Sequence, residues 1–366
     1  MSVDLSIHHL RCTVEAVSPI LLPAESGSAI RGALVNALRQ HYCPDATLRL
    51  SKGGPEADAM HRAMCPVCSL IADEDAEATR GRNIPRPYTI EPPTPRSGRV
   101  EPGQQISFGV SLIGTAINLF PYLVLAVPEM GRLGMGQYDS RQGGRGRFTL
   151  RSVEAINPLT GARQPLLAGG THLQLPAIPV TSTEVNEAAA KLSKIANEAG
   201  STVGIDFLSP TRIVSGAQLV RQPVFEPMFQ RLLERIDGLA QYYGTPTDEP
   251  TRRDQLLADA RQVEIVEART TWVEVMSGSK RLGRSTPVSG YEGRVVFRGG
   301  AWDALLPWLL WGQSIHVGKS AVKGNGWYSI DGCPGWGGDG SRVLPGELKP
   351  NVGRTFGDSL GSKNGE

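Results

Sequence analysis

The most constraining feature of this sequence is a unit that occurs twice, in which an apolar helix leads through a glycine-rich basic loop into a strand. In the second copy, the apolar run Ala301 to Leu310 precedes the loop Gly312 to Trp327 (GQSIHVGKSAVKGNGW), and β-forming residues continue to Ile330. In the first copy, the apolar run Leu119 to Val127 precedes interleaved glycines and arginines, and a strand begins at Phe148. Two such units in one chain predict a duplicated domain.

The second loop resembles a nucleotide-binding loop only superficially. A Walker A loop follows a strand and precedes a helix, with four residues between its first glycine and its Gly-Lys pair. Here the helix comes first, and five residues separate Gly312 from Gly318. This order and spacing exclude a nucleoside triphosphate loop. Because glycine lacks a Cβ, we expect the loop backbone to approach another group closely.

Length and composition allow two domains. The chain has 366 residues, of which 40% are hydrophobic, and a domain typically takes ~100–200 residues. The net charge of +2 gives no overall nucleic-acid signature, so local basic patches must meet any anionic partner. The five cysteines, an odd number without a secretion signal, argue against a disulfide framework. No apolar run approaches a membrane span, and we expect a soluble, cytoplasmic protein.

The predicted elements follow the same order in both halves. In the first half, Ser28 is expected to cap a helix, and the weakest expected strand lies near Pro87 to Ile90. In the second half, a long helix is expected at Phe225 to Tyr243. The order β-α-β-β-α-β in each half predicts an α+β protein with two tandem ferredoxin-like, or RRM-like, domains. The expected divisions are an N-terminal domain at 1–170 with a Cys-containing insertion at 43–100, a connector at 171–200, a C-terminal domain at 201–330 and a disordered tail at 331–366.

Several sequence blocks form a recognisable pattern. In the second half, TWVEVM begins at Thr271, SGYEGRVVF begins at Ser289, and LLPWLLWGQSIHVGKSAVKGNGWYSI ends at Ile330. The first half adds the weaker blocks IRGALVNAL, CPVC and PRPYTIEPP. The pattern resembles the CRISPR pre-crRNA processing endoribonucleases, family six of the RAMP superfamily. One departure is that Lys323 stands where the family has phenylalanine before its last G-x-G.

The resemblance implies a metal-independent endoribonuclease that cuts CRISPR repeat RNA, matures guide RNA and often keeps the product. In such a reaction the 2′-hydroxyl of the RNA attacks the adjacent phosphate, giving a 2′,3′-cyclic phosphate and a 5′-hydroxyl. The protein then supplies a base, an acid and positive charge. Other subunits of a CRISPR effector complex are further potential partners. The alternative is a non-catalytic guide-RNA-binding subunit, and cleavage of repeat RNA in EDTA distinguishes the two.

The resemblance also implies a catalytic histidine at the end of the first helix or in the loop after it. His41 fits the first position, where the helix dipole favours its protonated form. His61 in the insertion is the alternative. Helical spacing also places His41 on the apolar stripe of the helix, which leaves a structural role open. Tyr42 is a candidate proton donor or orienting group, and Lys52 is a candidate for stabilising the phosphorane.

The insertion contains a possible metal-ligand set. Cys65 and Cys68 form a C-x-x-C motif, His61 lies four residues upstream, and Cys43 precedes them. These residue types and spacings suit a closed tetrahedral zinc site, which would give a segment poor in apolar residues a reason to fold. The alternative is three free thiols in a loop. If His61 binds zinc, it is not the general base, and His41 becomes the stronger catalytic candidate.

The two glycine loops and a nearby turn supply the predicted RNA contacts. Lysine and arginine side chains neutralise phosphates, and the backbone N–H groups of glycine loops reach phosphate oxygens. The alternative for any single basic cluster is a solvated surface. The predicted RNA-binding residues are Arg132, Arg141, Arg145, Arg147, Lys280, Arg281, His316, Gly318, Lys319, Lys323, Gly324 and Gly326.

Overall fold

Two main sheets, one of five strands and one of four, each with helices packed against it, dominate the described part of the protein. The computed structural model describes residues 3–43, 61, 65–72, 84–168, 172–245, 250–279 and 284–334. Lys52, Lys280 and Arg281 lie outside these ranges, as does the predicted tail from residue 335 onward. Among the described helices, none is both long and apolar enough to cross a bilayer.

The first domain has the strand order of a ferredoxin-like fold. Its antiparallel sheet runs β3-β5-β1-β8, and β9 extends the edge beside β8. The uncertain strand near Pro87 is present as β3 and pairs with β5. The elements are β1 (Ile7–Ala16), β2 (Ile20–Leu22), α1 (Ser26–Tyr42), α2 (Pro66–Ala72), β3 (Tyr88–Glu91), β4 (Gly98–Val100), β5 (Gln105–Ile113), α3 (Phe120–Leu133), β6 (Met135–Asp139), β7 (Gly144–Gly146), β8 (Phe148–Ile156) and β9 (Arg163–Pro165), followed by the short strands β10 (Leu167–Ala168) and β11 (His172–Leu173).

The second domain repeats the topology. Its sheet runs β15-β18-β12-β19, which is the same order as in the first domain. The predicted α+β class and the two tandem ferredoxin-like folds are therefore confirmed. The elements are α4 (Ser182–Glu198), β12 (Thr202–Thr211), β13 (Ile213–Ser215), β14 (Gln218–Val220), α5 (Phe225–Tyr243), α6 (Pro250–Arg261), β15 (Glu264–Val273), β16 (Met276–Ser279), β17 (Arg284–Pro287), β18 (Gly290–Arg298), α7 (Trp302–Ile315) and β19 (Tyr328–Ile330).

The apolar pattern of the sequence explains both cores. Alternate residues of β1, including Leu10, Cys12 and Val14, are fully buried, as expected for a strand with one face on a core. In contrast, every residue of α7 from Leu305 onward is buried. A helix that is apolar all round requires neighbours on every side, and α7 meets α4, α5, α6 and the first domain's β5. The connector helix α4 thus belongs to the second core, through Val185 and its apolar neighbours.

Two local predictions differ from the structure. The first helix begins at Ser26 with Glu25 at its N-cap, so Ser28 is not the cap. The Ser28 hydroxyl instead donates to the Glu25 carboxylate at 3.2 Å. The first glycine-arginine loop also contains the hairpin of β6 and β7, which pair with each other. Its glycines concealed this hairpin because glycine weakens any strand pattern.

The glycine loop after α7 packs against the first domain. A Cβ added to Gly27 of α1 would lie 2.1 Å from the carbonyl oxygen of Lys323, so this helix and the loop touch through their backbones. Gly324, with φ of +89°, brings its own backbone near the carbonyl oxygen of Ile90 in β3. The close approach predicted from the loop's glycines is therefore made to the protein's own backbone.

This contact predicts opposite effects for two glycine substitutions in α1. Gly27→Ala forces the loop away from the helix and should destabilise the protein by about 1–3 kcal/mol, the usual cost of overpacking. Gly32→Ala, which has no heavy atom within 4 Å of the added Cβ, should stabilise it by about 0.5–1 kcal/mol because alanine favours a helix interior. Urea denaturation of both variants measures the difference, and equal shifts of the midpoint would contradict the contact.

Candidate active site and metal-ligand cluster

The end of α1 meets the end of α3 at a charged group. His41 Nε2 lies 3.1 Å from Glu129 Oε2 and 3.4 Å from Arg132 Nη2. Arg132 in turn donates from Nε to the same Glu129 oxygen at 2.8 Å. The His41 side chain is 31% exposed. It is therefore not the packed core histidine that its helical spacing allowed. An imidazole, a carboxylate and a guanidinium therefore share one accessible surface. These three residues, His41, Glu129 and Arg132, are called the His41 group below.

Glu129 is ionised in this group. The hydrogen bond from Arg132 and, after it, the charge of His41 lower the pKa of Glu129. The shorter contact of His41 Nε2 is the one with the carboxylate, which favours a proton on Nε2 and leaves Nδ1 as the accepting nitrogen. Sequence reasoning missed Glu129. Its spacing from Arg132 on α3 was visible, but nothing in the sequence showed that the ends of α1 and α3 meet.

Of the other two predicted catalytic residues, the structure describes Tyr42 and not Lys52. The Tyr42 ring packs edge-on against Tyr122, with ring centroids 5.8 Å apart. Burial and then the Glu129 carboxylate raise the pKa of the Tyr42 hydroxyl, so it stays protonated at neutral pH and cannot act as a base. Lys52 lies outside the described residues. Arg132, predicted only as an RNA contact, lies beside His41 and brings a positive charge there, as was expected of Lys52.

The four predicted metal ligands lie together beside this group. Cys43 Sγ is 3.6 Å from His61 Nε2 and 3.9 Å from Cys68 Sγ. With Cys65, the four ligand atoms all lie within 4.8 Å of one another. The backbone N–H of Cys65 donates to the His61 carbonyl at 2.7 Å, so a helical turn places these two residues and Cys68 on one side. The cluster offers the donors of a metal site.

His316 has no access to RNA. It is completely buried, and its ring stacks on Trp327 with centroids 6.1 Å apart. Burial, then the charges of Arg235 and His9, hold the pKa of His316 well below its usual value. The prediction that His316 contacts RNA therefore does not fit its position, because the loop faces the protein interior here.

The glycines of this loop also face the protein's own backbone. A Cβ on Gly318 would lie 2.5 Å from the Arg212 carbonyl oxygen, and one on Gly326 would overlap the Val317 carbonyl. Gly324 and Gly326 are both buried, which leaves them no surface for the predicted RNA contacts. Lys319 is exposed and Lys323 is half-buried. Among the predicted RNA-binding residues of this loop, Lys319 alone is exposed.

The arginines of the first loop lie on the surface. Arg141, Arg145 and Arg147 are all exposed, although the Arg145 guanidinium also donates to the Gly136 carbonyl. An open groove of about 580 Å³ runs beside Arg132 and Arg147, and its walls include the apolar side chains of Val17, Leu150 and Leu167. The groove therefore reaches the His41 group through Arg132.

Comparisons with known proteins agree with this fold. The family model described as CRISPR-associated endoribonuclease Cas6 matches residues 205–328, and a model described as an N-terminal domain matches residues 5–178. Together the two matches span both ferredoxin-like domains of the topology. The second domain therefore matches the Cas6 endoribonuclease family, as the resemblance of its sequence implied. No curated protein matches it significantly.

Solved structures share the fold at low sequence identity. A Cas6 (TTHB231) product complex is 16% identical with a TM-score of 0.51, covering 89% of this chain and 99% of the other. Thermus thermophilus Cas6 (TTHB231) is 14% identical with a TM-score of 0.50 and coverage of 89% and 98%. A partial Cas6-RT-Cas1–Cas2 complex is 14% identical with a TM-score of 0.56, covering 90% of this chain and 47% of the other.

The burial of His316 predicts a pH dependence of stability. Its folded pKa lies below the unfolded value of 6.5, so below pH 6.5 the unfolded chain binds a proton that the folded chain excludes. Stability should therefore fall as the pH decreases from 6.5. His316→Asn removes the titrating imidazole and should reduce the slope near pH 5 by about 1 kcal/mol per pH unit.

Urea denaturation at pH 7.5, 6 and 5 measures this slope. The variant keeps a residual dependence from His8, whose pKa is lowered to about 4 by burial and then by His9. Comparing slopes rather than absolute stabilities separates the lost titration from any packing defect. An identical slope in the variant would show that His316 titrates normally in the folded protein.

Proposed function

We propose that this chain is an endoribonuclease that cleaves CRISPR repeat RNA at the His41 group and so matures guide RNA. The observation that carries the proposal is the meeting of His41, Glu129 and Arg132 on an accessible surface of a Cas6-type fold. The RNA supplies the nucleophile, since its 2′-hydroxyl attacks the adjacent phosphate. The products are a 2′,3′-cyclic phosphate and a 5′-hydroxyl.

Each member of the group has a chemical role. His41 takes the proton of the attacking 2′-hydroxyl, and an imidazolium formed in this way can return a proton to the leaving 5′-oxygen. Glu129 orients the imidazole and stabilises the positive charge that His41 acquires. Arg132, anchored by Glu129, places its guanidinium where negative charge develops on the phosphorane. Tyr42 remains a proton donor beside them.

The groove beside Arg132 suits the RNA strand that enters the site. Apolar walls accept a nucleobase, while the guanidinium groups of Arg132 and Arg147 at its side neutralise phosphates. Arg132 belongs to both the groove and the His41 group, so an RNA strand in the groove presents a phosphate to the histidine. The solved Cas6 structure that shares the fold is named a product complex, which supports RNA retention after cleavage here.

No metal takes part in these steps, because side chains and the RNA move every proton and carry every charge involved. The cluster of Cys43, His61, Cys65 and Cys68 has a structural role in this proposal, holding zinc without joining the reaction. His61, as a ligand, is then not the general base.

Removal of the general base should abolish cleavage while RNA binding persists. His41→Ala should lower the single-turnover rate about 10²- to 10⁴-fold, the usual contribution of acid–base catalysis, with the dissociation constant for repeat RNA changing only a few-fold. Glu129→Gln keeps the shape but removes the charge and should cause a smaller loss of rate at unchanged affinity. The substrate is the repeat RNA of the CRISPR array nearest the gene that encodes this protein. The RNA and the protein are incubated briefly in EDTA.

A second ion pair of the first domain provides the matched control. Arg163 donates to Glu154 at 3.0 Å, and this pair is exposed like the one beside His41. Glu154→Gln should leave the rate unchanged. If wild-type protein binds the repeat tightly but produces no cyclic phosphate, the chain is instead a non-catalytic guide-RNA-binding subunit. Normal cleavage by His41→Ala would move the general base elsewhere.

The groove predicts a specific salt dependence of RNA binding. Arg147→Ala should weaken repeat binding and lower the salt slope by about 0.7–0.9, the value for one lost phosphate contact. Lys319→Ala tests the second loop in the same way. Lys194→Ala, an exposed lysine on α4, is the control and should change neither value. Affinities at several salt concentrations, with melting curves, distinguish a lost contact from a lost fold.

A further inference from the structure

Two distances between ligand atoms in the Cys–His cluster match those of a tetrahedral metal site. Zinc binds thiolate at about 2.3 Å and imidazole at about 2.0–2.1 Å, which separates two sulfurs by about 3.8 Å and a sulfur from a nitrogen by about 3.6 Å. The observed separations from Cys43 Sγ are 3.9 Å to Cys68 Sγ and 3.6 Å to His61 Nε2. These two separations fit one ion shared by Cys43, His61 and Cys68, and the Cys65 sulfur lies within 4.8 Å of their ligand atoms.

The chemistry of the donors favours zinc over a disulfide or a hard cation. The sulfurs of Cys43 and Cys68 are too far apart for a disulfide, whose bond is about 2.05 Å, and all three cysteines are free. Three sulfurs and one imidazole nitrogen select a soft or borderline cation and disfavour magnesium or calcium. The set has no open position, which is typical of a structural site.

The position of the cluster connects it to the His41 group. Tyr42 is the last residue of α1, and Cys43 follows it in an extended conformation. His61, Cys65 and Cys68 lie at and before α2, which packs against α1 and buries Val67 and Leu70 in the first core. A metal at the cluster therefore joins the end of α1 to α2, two residues beyond His41.

We infer that zinc bound by Cys43, His61, Cys65 and Cys68 fixes the end of α1 and thereby positions His41 against Glu129. The metal acts through the chain and touches no reacting atom, so Cys43 is a positioning residue. The inference about His41 rests on the proposed cleavage, whereas the zinc site itself does not. Without the metal, the last turn of α1 keeps its contact with α3 but is no longer joined to Cys65 and Cys68 through Cys43. Helix ends fray readily, so the position of His41 is then less fixed.

Metal analysis tests the site independently of any activity. Full-length protein purified without a metal-binding tag should contain about one zinc per chain, and Co²⁺ exchanged into it should show the visible absorption of tetrahedral thiolate ligation. Cys43→Ala should lose the metal. Cys333→Ser removes a cysteine outside the cluster and should keep it. Protein without zinc, even after Zn²⁺ is added to the reduced chain, would overturn the site.

Ligand rescue tests the positioning. Cys43→Asp retains a weaker zinc ligand, so added Zn²⁺ should restore its cleavage rate, whereas Cys43→Ala should stay about 10- to 100-fold slow, as expected for a misplaced catalytic group. RNA affinity should remain within a few-fold in both variants, since the groove is formed by other elements. The double variant with Cys43→Ala and His41→Ala should be no slower than His41→Ala alone, because Cys43 acts only through His41.

The outcomes separate this inference from the proposed function. If zinc binds and the wild-type protein never cleaves, the function fails while the metal site stands. If Cys43→Ala loses zinc and cleaves at the wild-type rate, the positioning role fails while the function stands. If Cys43→Ala also loses RNA binding and melts at a lower temperature, and Zn²⁺ does not rescue Cys43→Asp, the metal only stabilises the fold and the positioning role is overturned.

Discussion

The contact on which the rest of the structure depends is the buried seam between the two domains. His9 of β1 bonds through Nε2 to Ser314 Oγ of α7 at 3.0 Å and through Nδ1 to Ser111 Oγ at 2.6 Å. Ser111 in turn donates to Glu91 at 2.5 Å. Polar groups taken out of water are costly unless they find partners. The bond between His9 and Ser314 forms only when α7 lies against the first sheet, whereas the two bonds of Ser111 lie within the first domain. The His9–Ser314 contact therefore helps to specify how the two domains pack.

The seam also explains the glycine loop. Once α7 is docked, the loop after it must pass between α1 and β3, where Gly27 and Gly324 allow backbone to meet backbone. A sequence that resembles a phosphate-binding loop is thus used mainly for packing. The RNA-binding groove that we propose lies in the first domain, where it is bordered by Arg132 and Arg147.

Helix α1 is held at both ends, and its outer end carries His41, the proposed general base. The glycine loop covers its beginning, α3 contacts its last turn, and the Cys–His cluster continues directly from it. His41 lies at the end of α1, and Glu129 and Arg132 come from the neighbouring helix α3. The three residues therefore form one group within the first domain, without a cleft between the two domains. This arrangement suits a substrate that brings its own nucleophile, because the protein has only to place a base and positive charge.

Much of the fold followed from the sequence alone, because backbone geometry imposes periods that a sequence must obey. The helix Phe225–Tyr243 is found as predicted, the β-α-β-β-α-β order is present twice, and the spacing of His61, Cys65 and Cys68 placed three ligands on one side of a turn. Tertiary structure alone decided which distant segments meet. It paired Glu129 with His41, buried His316 and turned the loop glycines inward. Such contacts depend on how helices pack across sheets, and no local period encodes that packing.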